Sequence, residues 1–220
     1  VQTVGDGGHW AMTDVREADD VSHFTVMLAG DPVGQCELSM AGSHNRANAL
    51  AAIAAASASG VAPAEAVRAL CAFPGVRRRL EVRGVVNGVT VIDDFAHHPT
   101  AIELTIAGQR ARMSSKGRIL AVIEPRSNTM RAGVMKDRLS QSVAQADRVY
   151  CLNQSLSWNV DEVFAGLGDR FVARSSVPEL VQAVLNEATR DDQILVMSNG
   201  GFGGIHQQLL DGLARQPVAK

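Results

Sequence analysis

The 220-residue chain sets 21 lysines and arginines against 23 aspartates and glutamates, for a formal net charge of −2. That balance gives no general attraction to nucleic acid or an anionic membrane, and no apolar run is long enough to span a bilayer. Hydrophobic residues make up 46% and charged residues 20%, the proportions of an ordinary globular protein with one large domain or two small ones.

The N-terminus lacks the basic-then-apolar layout of a signal peptide. Cys36, Cys71 and Cys151 are far apart and form no CxxC pair, so neither a zinc site nor a disulfide framework is expected, and a reducing cytoplasm fits. The lysines are Lys116, Lys136 and Lys220, and none sits in a GxxxxGK[ST] phosphate loop. The chain begins at Val1 rather than Met, which predicts a fragment of a longer protein.

Residues 1–22 are polar and Gly-rich with weak periodicity. Two strands are expected at 23–30 and 34–40, joined by the turn Asp31-Pro32. Residues 41–60 read as one Ala-rich helix, capped by Ser43 or Asn45 and ended by Gly60. A second helix is expected at 62–73, with Pro63 in its first turn. "FPGV" (73–76) breaks the pattern. Two β-branched runs then flank Asn87-Gly88, the preferred type I′ hairpin turn. Beyond it, helices at 99–113, 131–146 and 177–189 alternate with strands at 117–125, 147–153, 170–175 and 192–198, a short helical piece precedes 170, and 200–216 is Gly-rich and then helical. This alternation predicts an α/β fold, a mostly parallel sheet with helices on both faces. Ligands of such sheets sit beyond the carboxyl ends of the strands, where "DDFAHHP", "EPRSNT" and "SNGGFGG" fall.

Each polar motif has more than one reading. Asn45 and Asn48 of "HNRAN" share one side of a helix; their amides suit a purine edge, or they cap the helix. In "VRRRLE", Arg77 and Arg79 share a face if the segment is extended, as a phosphate clamp or a solvated hinge. Asp93, Asp94, His97 and His98 offer a ribose contact, a phosphate-facing His at a helix start, an acid/base pair, a metal site or a simple turn cap. Arg126 suits a carboxylate. The glycines after Ser198 and Asn199 offer backbone amides to an anion, without the GxGxxG pattern of a dinucleotide site.

Taken in order, His44-Asn45-Arg46-Ala47-Asn48, Arg79 and Asp93-Asp94-Phe95-Ala96-His97-His98-Pro99 resemble the HNxxN, hinge Arg and DDxxHxP pattern of the Mur ligase family. These are cytoplasmic, ATP-dependent enzymes of cell-wall metabolism that join amino acids or peptides to UDP-N-acetylmuramate. "DDFAHHPTAIE" is similar to the branch acting on the muramyl lactyl carboxylate. "EPRSNTM" and "SNGGFGGIH" look like the member that re-attaches recycled tripeptide, L-Ala-γ-D-Glu-meso-diaminopimelate, rather than the member that adds L-alanine.

The resemblance implies that residues 1–73 are the end of a central ATP-binding domain, 74–79 a hinge, and 80–220 a complete Rossmann-like peptide-binding domain. The N-terminal domain and most of the central domain would be missing. It further implies that ATP activates the lactyl carboxylate as an acyl phosphate, which the tripeptide amine attacks. Asn45 and Asn48 would contact adenine, Asp94 the ribose, and Arg79 and His97 the γ-phosphate side. Arg126, Asn128, Thr129, Ser198, Asn199, Gly200 and Phe202 would face the peptide. Mg²⁺ would be held mostly by residues outside this chain, so no metal ligand is assigned, and the chain alone is expected to be inactive. The rivals are a non-catalytic nucleotide- or peptide-binding module and a Rossmann oxidoreductase.

Overall fold

A computed structural model describes residues 2–18, 21–40, 42–113 and 117–215. Ala41, Lys116, Lys220 and position 216 of the last expected helix lie outside the described residues. The chain folds as two compact units, Val1–Val76 and Arg77–Lys220.

The first unit is a three-stranded antiparallel meander, β1 (Trp10–Ala18), β2 (Val21–Leu28) and β3 (Asp31–Leu38), with helices α1 (Ser43–Ala58) and α2 (Pro63–Cys71). Strand β1 was not expected. It is an edge strand whose only buried residue is Trp10, so it lacks the alternation that marks a half-buried strand. The hairpin turn is Ala29-Gly30, not Asp31-Pro32, because Leu28 already pairs with Asp31. Trp10, Phe24, Leu38, Leu50 and Ile53 fill the core.

The start of α1 also differs from expectation. Its N-cap is Gly42, which has no side chain to give. Glu17 of β1 supplies the cap, accepting the Gly42 N–H at 2.7 Å and pairing with Arg46. That backbone N–H, with the Arg46 charge, holds the Glu17 carboxyl below its ordinary range against the opposing effect of burial. The helix ends in a Schellman motif, Gly60 N–H donating to Ser57 O and Val61 N–H to Ala56 O.

The second unit is the expected α/β domain. Its sheet order is β4 (Glu81–Val86), β5 (Val89–Asp94), β9 (Gln193–Met197), β6 (Ile119–Ile123), β7 (Arg148–Leu152), β8 (Phe171–Arg174). Only the β4–β5 hairpin is antiparallel; its turn, Asn87-Gly88, has φ of 54° and 80°, as type I′ requires. Helices α3 (Pro99–Arg112), α5 (Lys136–Ser142) and α6 (Val160–Val163) share one apolar cluster around Ile106, Leu139 and Phe164. Helices α7 (Val177–Glu187) and α8 (Ile205–Arg215) share the other, around Val184 and Leu209.

The expected helix 131–146 is two pieces, α4 (Asn128–Arg131) and α5. Gly133 separates them at φ 73° with the Trp158 ring packed on its Cα face. A side chain there would meet both a left-handed backbone and the indole. Ser127 caps α4, its Oγ accepting from Met130 N.

Candidate functional site

Register places the site. Asp94 pairs with Met197, and Met197 with Ile123, so β5, β9 and β6 end level. Phe95, Ser198 and Glu124 therefore leave the sheet side by side. After β6 the chain turns toward β7. After β9 it turns the other way, and α8 packs on β4 and β5. The gap between β9 and β6 is thus the switch point where ligands of doubly wound sheets bind.

At that gap, Arg126 lies over Gly200. A Cβ at Gly200 would overlap the guanidinium, so the glycine is there for close approach. Ser127 Oγ is committed to its cap, while Asn128 and Thr129 are exposed on the first turn of α4. Asn199 is half-buried, and its Oδ1 is buried without a hydrogen-bond partner among the described residues. A buried acceptor left this way is uncommon.

Three residues expected to meet ligands face inward instead. Ser198 is fully buried: its N–H donates to Asp94 O, its Oγ donates to Glu124 Oε2, and its Oγ accepts from Gly200 N. Phe202 is buried in the α7–α8 cluster. Asp94, 2% exposed, accepts from Leu80 N (2.9 Å), Ala96 N (2.8 Å) and Thr105 Oγ1 (3.2 Å). Its carboxylate is occupied by the fold rather than turned to a ribose. Sequence spacing could not reveal two of the three partners, because Leu80 precedes β4 and Thr105 comes from α3.

His97 is half-buried at the turn before α3, as expected. Its Nδ1 lies 2.9 Å from Phe95 O and therefore carries the proton, leaving Nε2 as the polar atom available to a ligand. His98 is the N-cap residue of α3 but gives no side-chain cap.

The arginine run is not extended, so the alternation assumed for Arg77 and Arg79 does not hold. Arg78 and Leu80 both have positive φ, 59° and 49°, a strained arrangement for side chains of this size. Arg79 between them is exposed and, among the described residues, has no ion-pair partner. Arg78 is the residue that makes contacts. Its Nε lies 3.1 Å from Asp93 Oδ2, its Nη2 donates to Ser198 O at 2.6 Å, and its guanidinium stacks over Phe95 at 5.2 Å.

Asp93 also meets His206, whose Nε2 lies 3.2 Å from Oδ1. Burial pushes the Asp93 carboxyl up, but the His206 contact and the Arg78 charge outweigh it and hold the group below its ordinary range. Arg78, Asp93 and His206 line a cleft of about 330 Å³ beside Gly200, Gly201 and Gly204. The sequence reading missed Glu124, His206 and the separate part of Arg78; the place of Glu124 directly after β6 was the one signal it offered.

Among the described residues, no group of three or more His, Cys, Asp and Glu is placed to hold a metal ion. No described helix is long and apolar enough to cross a membrane.

A parallel sheet with its polar loops at the β9–β6 switch point, headed by an arginine-rich segment, is the form of one domain class. The chain belongs to the Mur ligase family, whose glutamate ligase domain matches residues 78–200. Over 99% of this chain and 48% of the relative, it is 49% identical to the UDP-N-acetylmuramate–L-alanyl-gamma-D-glutamyl-meso-2,6-diaminoheptandioate ligase of Escherichia coli K12. It is 32% identical to the UDP-N-acetylmuramate–L-alanine ligase of Frankia casuarinae, over 93% of this chain and 47% of that one. A crystal structure of a murein peptide ligase from Psychrobacter arcticus 273-4 matches with a TM-score of 0.77 at 38% identity, covering 97% of this chain and 46% of that one. The chain spans about half the length of the curated relatives it matches.

Proposed function

We propose that this chain is the C-terminal part of an ATP-dependent ligase that joins L-Ala-γ-D-Glu-meso-diaminopimelate to UDP-N-acetylmuramate in peptidoglycan recycling. The observation that carries this reading is the difference in likeness, 49% to the tripeptide ligase of Escherichia coli against 32% to an alanine ligase, each over nearly the whole chain.

In this reading, residues 1–73 end the central ATP-binding domain and 80–220 form the peptide domain. Asn45 and Asn48 hold adenine. Arg79, exposed at the end of the hinge, neutralises charge on the γ-phosphate side, and His97 stands at the same side. ATP supplies the activation of the lactyl carboxylate as an acyl phosphate. The tripeptide amine then forms the amide bond and inorganic phosphate leaves. Arg126 pairs with a peptide carboxylate, and Asn128, Thr129, Asn199 and the Gly200 backbone fix the peptide, so that much of the rate comes from holding amine and carbonyl together. Asp94, Ser198 and Phe202 serve as frame.

The test is ADP release by the full-length ligase that carries this chain, with each substrate omitted in turn. The expected result is release only when UDP-N-acetylmuramate and tripeptide are both present, and none from residues 1–220 alone. Turnover by the isolated chain, or none by the full-length protein, contradicts the reading.

A further inference from the structure

Arg78 touches three separate parts of the second unit. Its guanidinium bonds the Asp93 carboxylate at the end of β5 and the Ser198 carbonyl at the end of β9. Its backbone is held as tightly: its N–H donates to Glu81 Oε2 at 2.8 Å, and its C=O accepts from Phe95 N at 2.9 Å. Two residues on, Leu80 N donates to Asp94. Two positions of positive φ, at Arg78 and Leu80, persist only where the surroundings over-determine them, and these five contacts do so. The exposed residue between them is Arg79.

The same guanidinium reaches the Gly-rich loop. Ser198, whose carbonyl it holds, anchors Gly200 through Oγ and Glu124 through the same hydroxyl, and Gly200 sets the place of Arg126. On the other side of Asp93 stands His206, the second residue of α8. The groups facing Asp93 are thus Arg78, His206 and, at 4.0 Å, Arg83, itself paired with Glu81.

We propose that Arg78 is a positioning residue that, with Asp93, locks the 78–80 segment and the Ser198–Gly204 loop into one piece. Arg79 and the peptide-facing residues then meet their ligands in fixed register. A planar fork bonding carboxylate and carbonyl together does this; a lysine cannot. The proposal rests on the assignment of Arg79 to ATP and of the loop to the peptide.

Two measurements test it. In the full-length ligase, wild type is compared with Arg79→Ala, Arg78→Ala and Arg78→Lys. Arg79→Ala should raise the KM for ATP alone. Arg78→Ala should raise the KM for ATP and for tripeptide together by about tenfold or more, with little rescue by Arg78→Lys. A residue that only stabilised the fold would lower Tm and leave both KM values in place. In chain 1–220, hydrogen exchange at Gly200–Gly204 should quicken by about tenfold in Arg78→Ala while Ile119–Ile123 stay protected. Unchanged KM values in an active enzyme, or unchanged loop exchange, overturn the proposal. A wild-type ligase without tripeptide activity refutes the functional reading instead, and exchange alone then decides the lock. Should Arg78→Ala fail to fold, Arg78→Lys carries both measurements.

Discussion

The two edges of the six-stranded sheet use the same residue types in opposite ways. At the amino edge, arginines and acids close on one another. Arg118 forks onto buried Asp192 at 2.6 and 3.0 Å, Arg110 pairs with Asp147, and Arg148 with Glu187. At the carboxyl edge, inner acids are also paired, Asp93 by Arg78 and Asp94 by backbone N–H groups, but the rim is left open. Arg79 and Arg126 are exposed, and Asn199 keeps a buried acceptor without a partner among the described residues. An arginine in a loop therefore says little by itself; whether an acid lies within reach decides if it is frame or site.

Substitutions sharpen that contrast, and the largest effect belongs to the closed edge. Asp192→Ala strands Arg118 and leaves Thr189 N without its acceptor at 2.8 Å. It should cost on the order of 3 kcal/mol in denaturant unfolding, while KM values of the protein that still folds stay unchanged.

Asp93→Asn is next. Because the folded Asp93 carboxyl lies below its ordinary value, its stabilisation is present above the unfolded carboxylate pKa, about 4, and is lost as pH falls through the folded value. Wild type should exceed Asp93→Asn by about 1–3 kcal/mol at pH 7, and the gap should narrow as pH falls below the unfolded carboxylate value. A gap that does not depend on pH would break the account of the inner pair.

Smallest in stability is Gly200→Ala. The new methyl displaces a flexible side chain rather than backbone, so unfolding should shift by no more than about 0.5 kcal/mol. The Arg126 guanidinium must move, and the KM for tripeptide should rise several-fold. A large loss of stability would put Gly200 in the frame and not in the site.

Much of the second unit is legible in the sequence, because β-branched runs, Asn-Gly and Pro-initiated helices state their structure locally. Strand β1 is not, since a polar edge strand carries no period. The break at Gly133 is not, since the indole that packs on it arrives from residue 158. At the site, the motifs fall on the loops beyond the carboxyl ends of β5, β6 and β9, and Arg126, Asn128 and Thr129 are exposed there. The direction of each side chain was hidden. Asp94 and His97 stand three residues apart in one motif, yet the first turns into the fold because Leu80 and Thr105 approach from elsewhere. Ser198 is likewise taken by Glu124, 74 residues away.

The central claim is that the open rim at the β9–β6 gap receives a peptide. The most direct measurement is a competition in the full-length ligase, supplying equal tripeptide and L-alanine with ATP and UDP-N-acetylmuramate and resolving the two products by mass. The account predicts that tripeptide product dominates and that Arg126→Ala removes most of that preference. Dominant L-alanine product, or a tripeptide preference untouched by Arg126→Ala, would contradict it.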